Sequence, residues 1–168
     1  MGPGILIKAL LQSSFSLMVF GWTQIIMDIQ PLVILLMGEG HLHGFTHTFL
    51  GATLIAITSA ISGKYLSELG LRIIGVNEFG FNQIRKKSNK VIIISWKVAF
   101  ISALIGSYTH VLLDAIMHGD VQPFYPFNLS NELLGLISIS SLHKSCLYSG
   151  LIGASIFYFV QWKKFKEK

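Results

Sequence analysis

The sequence predicts an all-α membrane protein, a bundle of about four transmembrane helices with a metal site on its extracytoplasmic side. Of its 168 residues, 52% are hydrophobic and only 12% are charged, roughly half the charged fraction of an average soluble domain. Mean hydropathy is +0.61, and several apolar runs reach the roughly 17–25 residues that cross a bilayer. Histidines and aspartates recur where these runs end, so residues 1–168 are expected to form a single helical membrane domain with a polar site.

The first apolar run, residues 5–27, ends just before Asp28 and Pro31. Because proline lacks an N–H group and disfavours helix at the preceding residue, a helix break is predicted at 28–31. Residues 32–37 are too few to span and are predicted to be interfacial or re-entrant. The run at 5–27 is interpreted as an uncleaved signal anchor, since it lacks a clear cleavage site.

Two further spans follow the first. Residues 44–62 form the second, and its glycines, alanines and serine allow close helix packing in lipid. Residues 63–90 are a polar, basic connection with room for a short helix, and residues 91–117 form the third span. Residues 118–131 contain two prolines and a glycine, so they are predicted to be irregular.

The last span has two interpretations. A helix over residues 133–160 would bury His143 and Lys144 in lipid, at a cost of about 2.5–3.5 kcal/mol for the lysine. A span over 146–162 avoids this cost and leaves residues 132–142 as an interfacial helix, so it is preferred.

The basic residues predict the topology. Residues 9–63 and 98–143 contain no Lys or Arg, whereas such residues concentrate in the connection 63–90 and the tail 163–168. Because basic loops stay in the cytoplasm, four spans would place the connection and both termini inside. The formal charge of +5 is thus explained as a topology signal. Membrane lipids are the expected partners, and no nucleic acid is expected.

Two pairs of metal-capable side chains are each spaced one helical turn apart. His43 and His47 open the second span, and His110 and Asp114 close the third. Residues i and i+4 share a helix face, so each pair can present two ligand atoms to one point. Asp28 can reach in from the end of the first span. These five residues are the predicted metal ligands.

Imidazole and carboxylate are ligands that zinc, manganese and iron share. Five such ligands suit one five- or six-coordinate ion, or two ions that share a carboxylate. A divalent metal is therefore expected, with zinc preferred. His118 and Asp120 follow the third span and are the candidate general acid or base. Glu39 and His41 could support the ligands or face solvent, and Lys144 could meet a phosphate or extend to the interface.

At His43-Gly-Phe-Thr-His47 and His110-x-x-x-Asp114 the chain resembles the YdjM-like family of membrane-bound metal-dependent hydrolases. The resemblance runs from about residue 24 to residue 130. The other positions that match the family pattern in order are Asp28, Thr46, Gly119, Pro126 and Phe127.

The chain departs from the family pattern at a few positions. No arginine follows His43, Gln30 stands where the family has a second carboxylate, and Thr48 and Asn128 replace serines. The family is similar to the zinc-dependent phospholipase C and single-strand nuclease superfamily. This kinship implies a prokaryotic membrane enzyme that hydrolyses phosphoesters, such as those of lipid headgroups, at a multi-zinc site.

Two other classes of function use the same residues. The protein could bind or transport a metal ion, or it could be a structural membrane protein without catalysis. A transporter needs polar groups that continue through the bilayer, whereas residues 52–60 and 91–102 contain no His, Asp or Glu. The enzyme is therefore the preferred hypothesis.

Overall fold

The structure is a computed structural model that describes residues 1–38, 40–74 and 93–167. Within these ranges all regular structure is helical, which confirms the all-α prediction. Short 3-10 turns lie at Gln12–Ser14 and Phe45–His47. The α-helices of the described residues are α1 (Gly2–Leu11), α2 (Leu17–Met37), α3 (Phe49–Ile74), α4 (Trp96–Met117) and α5 (Ile139–Lys166).

Three of the described helices are long and apolar enough to cross a membrane, judged by length and composition. They are α2, α3 over Phe49–Ile73, and α4. Helix α5 has 28 residues, but its serines, His143, Lys144 and its basic end make it less apolar than the other three. The structure thus supports a membrane protein with three candidate spans where four were predicted.

The first apolar run contains two helices, so the span predicted over 5–27 differs from the structure. The chain turns between α1 and α2, where Gln12 adopts a left-handed φ of 47°. Ser16 then begins α2, because its side chain accepts a hydrogen bond from the backbone N–H of Val19 at 3.3 Å. The backbone N–H of Ser16 donates to Ser102 Oγ at 2.8 Å, which ties this turn to α4.

Helix α2 continues through Pro31, so the predicted break at 28–31 and the re-entrant segment at 32–37 are wrong. Pro31 removes one backbone hydrogen bond, a loss that apolar membrane helices tolerate. The helix ends instead at Gly38, which has a left-handed φ of 76° and donates its N–H to the Ile34 carbonyl at 2.9 Å. Glycine adopts this conformation without a steric penalty, so it sets the true end.

Helix α3 begins later and ends later than the predicted span over 44–62. Thr48 caps its start by accepting the backbone N–H of Gly51 at 2.9 Å. At the other end the helix continues through Lys64 and Glu68, which form a buried ion pair one turn apart. Glu68 also accepts the backbone N–H of Ile94 at 2.8 Å, so these polar residues stabilise helix where a basic connection was predicted.

The remainder of the predicted basic connection, residues 75–90 with Arg85, Lys86 and Lys87, lies outside the described residues. Glu39 also lies outside them. Helix α4 begins at Trp96, capped by Ser95, and ends at Met117 as the predicted third span does.

Helix α5 is continuous across the predicted boundary between an interfacial helix and a span. It begins at Ile139, capped by Ser138, so residues 132–138 are turns and the interfacial helix over 132–142 is wrong. His143 and Lys144 lie within α5 with exposed side chains. Both side chains therefore point away from the other described helices.

Helices α1 and α5 run parallel and pack closely through glycines. The Gly2 position lies against the carbonyl of Cys146, and a Cβ on Gly153 would lie 2.5 Å from the Leu6 backbone. Further along, Lys164 Nζ lies 3.5 Å from Gln12 Oε1. The start of α1 therefore lies beside the first half of α5, away from the basic tail.

Helices α2, α3 and α4 form the core of the bundle. Its buried side chains are small or slender, in two clusters made of Val19, Ala56, Ala60, Ile94, Ala99 and Ala103, and of Met27, Ala52 and Val111. Small residues let helix backbones approach closely in lipid. Toward one end of this bundle the apolar core is replaced by histidines and aspartates.

Candidate metal centre

Four of the predicted ligands meet where α2, α4 and the turn before α3 converge. Asp28 projects from α2, His47 ends the Phe45–His47 turn, and His110 and Asp114 lie one turn apart on α4. The His47 side chain is fully buried, whereas 64% of the Asp28 side chain is exposed. The centre is therefore enclosed by the bundle and open beside Asp28.

Asp114 lies between the two histidines. Its Oδ2 atom is 3.1 Å from His110 Nε2 and 3.4 Å from His47 Nε2. His110 Nε2 is also 3.3 Å from Asp28 Oδ1. Tetrahedral ligands of one zinc ion, each at ~2.0–2.1 Å, lie about 3.3 Å from one another. These separations would allow the atoms to share one ion.

Gln24 fixes the position of the proton on His110. Gln24 Nε2 donates to the Gly106 carbonyl at 2.9 Å, which turns Gln24 Oε1 toward the imidazole. This oxygen lies 3.0 Å from His110 Nδ1. Because a carbonyl oxygen only accepts, the hydrogen-bond network assigns the hydrogen to Nδ1. In the neutral imidazole, His110 Nε2 is then an unprotonated nitrogen that faces Asp114.

Thr46 and Gln30 do the same for His47. The hydroxyl of Thr46 donates to Gln30 Oε1, and its oxygen lies 3.0 Å from His47 Nδ1. Since that hydroxyl hydrogen is already used, the oxygen accepts from Nδ1–H. His47 Nε2 is left unprotonated, and it faces the same oxygen of Asp114.

Two bare nitrogens thus face carboxylate oxygens, an arrangement in which acceptors confront acceptors. Both Nε2 atoms are buried, and neither has a hydrogen-bond partner among the described residues. Burial of an unpaired polar atom costs about 1–3 kcal/mol. A divalent cation between the atoms would convert each repulsion into a bond, so these donors fit a metal held by imidazole and carboxylate.

A second group lies beside the first, around His43. Its Nδ1 lies 2.9 and 3.0 Å from the two carboxylate oxygens of Asp120, and its backbone N–H donates to Asp120 Oδ2 at 3.3 Å. The ring of His118 stacks on that of His43, with centroids 4.5 Å apart. Partial burial raises the pKa of the Asp120 carboxyl, but the hydrogen bond and charge of His43 outweigh this effect and hold the pKa below its usual range.

His43 connects the two groups. One ligand atom from each of His43, His47 and Asp114 lies within 4.8 Å of the others, and the same holds for His43, His118 and Asp120. The structure therefore brings all seven sequence-predicted site residues to one region.

The sequence argument placed His43 and His47 on one helical face, and this is wrong. Both precede α3, and the backbone is extended at Gly44, where a Cβ would collide with Gln30. Their rings nevertheless meet edge to face with centroids 5.0 Å apart. A glycine in the loop brings the rings together here.

The sequence argument missed the residues that orient the ligands, namely Gln24, Gln30 and Thr46. One signal was present for Gln24, which precedes Asp28 by four residues and so shares its helix face. Gln30 and Thr46 approach each other only through the fold, since a long turn separates them.

The model of the YdjM inner membrane protein family matches residues 7–166. Comparison with curated proteins and with solved structures gives no significant match. The matched region includes every residue of the metal centre and all but the ends of the chain. The chain belongs to the YdjM inner membrane protein family.

Proposed function

We propose that this protein is a membrane-embedded, metal-dependent hydrolase. Its metal ligands are Asp28, His43, His47, His110 and Asp114, and the metal is a divalent ion, zinc before manganese or iron. The observation that carries the proposal is the pair of buried Nε2 atoms that face one carboxylate oxygen and have no hydrogen-bond partner among the described residues. Hydrogen bonds within a bundle would stabilise such atoms with a donor, whereas these are arranged for a cation.

A bound divalent ion supplies Lewis acidity and lowers the pKa of coordinated water toward ~7. The residues around this ion would orient its ligands, exclude water and transfer a proton. Gln24 and Thr46 keep the imidazoles in one tautomer, and the buried side of the centre excludes bulk water. His118 lies on the exposed side, where it can give or take a proton at the substrate.

Phosphoesters of lipid headgroups are the proposed substrates. The resemblance to phosphoester hydrolases supports this chemistry, and the position of the centre supports a lipid. The loop after α4 exposes Phe124, Tyr125 and Phe127 beside the centre, and Phe127 is 91% exposed. Exposed aromatic side chains suit the membrane interface. An interface at this loop would place lipid headgroups next to Asp28.

We further propose that the centre faces the extracytoplasmic side. The proposal is supported by the absence of Lys and Arg from residues 9–63 and 98–143 and by the basic tail at the other end of α5. It requires α5 to act as a fourth span. In this proposal the basic tail at the end of α5 is cytoplasmic. The first residue is not on that side, because α1 runs parallel to α5 and starts away from the tail.

The proposal is tested with the full chain purified in detergent and loaded with zinc. Hydrolysis of phosphodiester and phosphomonoester lipids is measured for wild type and for Asp114→Asn, which keeps the shape of the side chain and removes its charge. We expect wild type to hydrolyse at least one of these classes and Asp114→Asn to lose at least 100-fold in rate and to lose metal. Full metal occupancy with no hydrolysis of either class would contradict the enzyme and favour a binding protein.

Metal transport is the alternative that shares these ligands. It predicts zinc flux into proteoliposomes, whereas the enzyme predicts none. Among the described residues, the core between the centre and the pair of Lys64 and Glu68 buries aliphatic side chains and a few hydroxyls such as those of Ser59 and Ser102, without a buried His, Asp or Glu. The alternative therefore has less support than hydrolysis.

A further inference from the structure

Asp28 lies on an exposed, otherwise apolar side of α2. Ile25 precedes it by three residues, and Leu32 and Leu35 follow it by four and seven residues, so the four side chains share one side of the helix. All four are exposed, and together they form the α2 face. Because α2 is long and apolar enough to cross a membrane, the α2 face meets lipid in a bilayer.

The exposed sides of the other two candidate spans lack such a group. On α3 they carry side chains such as Leu54 and Ile57, and on α4 side chains such as Leu104 and Leu112. Among the described residues of these two helices, no His, Asp or Glu is exposed. An ionisable group within a membrane span is costly and marks a functional site. Asp28 is therefore the point at which the lipid-facing surface of these spans reaches the centre.

The centre has a second opening, in the loop after α4. The rings of His118, His43, His47 and His110 follow one another with centroids 4.5, 5.0 and 5.3 Å apart. At the end of this row, His110 Nε2 lies 3.3 Å from Asp28 Oδ1. His118 is exposed at one end of the row and Asp28 at the other. The centre thus opens toward the loop on one side and toward the α2 face on the other.

We propose that the substrate enters the centre sideways from the bilayer, across the α2 face. This inference rests on the proposed function, in which a cation held by Asp28 and its neighbours binds the phosphoester. The substrate class is an amphiphile whose phosphate reaches that cation while its hydrocarbon chain stays in lipid beside Ile25 and Leu32. The opening at His118 supplies water and exchanges the proton.

The charge of Asp28 separates a substrate from ordinary boundary lipid. A carboxylate repels a phosphate, so a phosphate binds beside Asp28 only when a cation lies between them. Boundary lipid covers an apolar helix face without any cation. The hydrocarbon chain supplies a second distinction, because a phosphoester that entered from water through the loop would not contact the α2 face.

The experiment is photo-crosslinking of the full, zinc-loaded chain in dodecyl maltoside, a detergent without phosphate. The probe is hexadecylphosphonate with a diazirine close to the phosphonate, since its P–C bond resists hydrolysis, and peptide mass spectrometry locates the adducts. We expect adducts on α2 around Leu32. Excess hexadecylphosphonate should remove them, and the same concentration of methylphosphonate, which has the headgroup without the chain, should leave them in place. Asp114→Asn, which loses the metal, should lose these adducts.

Two variants of equal exposure test the apolar contact itself. Leu32 on the α2 face and Leu54 on α3 are each 53% exposed. Leu32→Gln should raise the concentration of hexadecylphosphonate needed for half-competition by about fivefold, since it removes apolar contact with the chain. Leu54→Gln should leave that concentration unchanged. Zinc content and far-UV circular dichroism of both variants check that the centre and the helices are intact.

Several results would overturn entry across the α2 face. Competed adducts confined to residues 118–138 would show entry from the loop and leave the proposed hydrolase standing. Adducts on α2 that persist in Asp114→Asn would show boundary lipid, and equal effects of Leu32→Gln and Leu54→Gln would contradict a chain site on α2. A wild-type chain that binds no zinc would contradict the proposed function and this inference together.

Discussion

At the residue scale, the centre depends on hydrogen bonds that leave ligand nitrogens bare. Gln24 and Thr46 do not touch the proposed ion, yet each determines which nitrogen of a histidine is unprotonated. Residues of this kind commonly change metal affinity by 10–100-fold when they are replaced. The chemistry of the centre is therefore decided by neutral side chains as well as by ligands.

Gln24→Leu should weaken zinc binding by about 10–100-fold, because His110 loses the acceptor that holds its Nδ1–H. Gln24→Glu keeps an acceptor oxygen for His110 but loses the donor to the Gly106 carbonyl, so it should recover only part of the affinity. Competition with a chromogenic chelator measures both. The control is Gln161→Leu, an amide on α5 remote in sequence from the centre, and an equal loss in that variant would contradict a specific role for Gln24.

Thr46→Val should also weaken zinc binding, since it removes the hydroxyl that links His47 to Gln30. Valine has almost the same shape as threonine, so the packing of the turn is kept. Thr58→Val is the matched control, because the Thr58 hydroxyl bonds only to carbonyls of its own helix. Equal zinc affinities for wild type and Thr46→Val would show that the tautomer of His47 is set by another group.

At the element scale, glycines determine how closely helices approach. A Cβ on Gly153 would lie 2.5 Å from the backbone of Leu6 on α1, a contact that packed atoms do not make. A Cβ on Gly70 of α3 would instead meet only the end of Met18 at 3.7 Å. The same substitution should therefore have opposite effects at the two positions.

Gly153→Ala should lower stability by about 1–3 kcal/mol, because α1 and α5 must move apart. Gly70→Ala should raise stability by roughly 0.5–1 kcal/mol through its helix propensity. Thermal unfolding of both variants in one detergent measures the difference. A Gly153→Ala variant as stable as wild type would contradict the close packing of α1 on α5.

Also at this scale, the buried pair of Lys64 and Glu68 explains why α3 extends beyond its apolar run. Glu68→Gln leaves the lysine charge buried without its partner and should destabilise the protein by about 3–5 kcal/mol. Glu132→Gln is the control, because Glu132 lies in the loop before α5 and, among the described residues, its side chain accepts a hydrogen bond from Asn128 alone. Equal unfolding temperatures for the two variants would show that the pair is dispensable.

The element scale is also where sequence reasoning was least accurate. It read Pro31 as the end of a helix, although the membrane context tolerates a lost hydrogen bond and Gly38 supplies the actual cap. It ended the second span before Lys64, where a polar, basic connection was predicted to begin. The ion pair of Lys64 with Glu68 has the i,i+4 spacing of a helix and is a local signal that the sequence argument did not use. The bond from Ile94 to Glu68 joins residues distant in sequence, and no local pattern predicts it.

At the scale of the whole molecule, the spacing of five ligands predicted the location of the centre better than the helix boundaries did. Residues 43–47 and 110–114 are close in sequence within each pair, so their proximity is set by local geometry. The proximity of the two pairs to each other was inferred from topology, since each pair lies at a helix end on the same predicted side of the membrane. The supporting residues Gln30 and Thr46 depend on the path of the whole chain and could not be read in the same way.

The topology itself can be measured on the whole molecule. In a Cys146→Ser background, a cysteine at His41 should react with a membrane-impermeant maleimide added outside intact cells, because it lies beside the centre. A cysteine at Lys163 should react only after the membrane is permeabilised. Labelling of both positions from the same side would contradict α5 as a fourth span.

The central claim is that His47, His110 and Asp114 hold a divalent metal. Zinc K-edge X-ray absorption of the purified, zinc-loaded chain tests it most directly, since the spectrum reports the ligands themselves. We predict nitrogen and oxygen neighbours at ~2.0–2.1 Å with scattering from at least two imidazoles, and loss of that signal in a His110→Ala variant. A wild-type chain that binds no zinc, or a spectrum without imidazole ligands, would contradict the account.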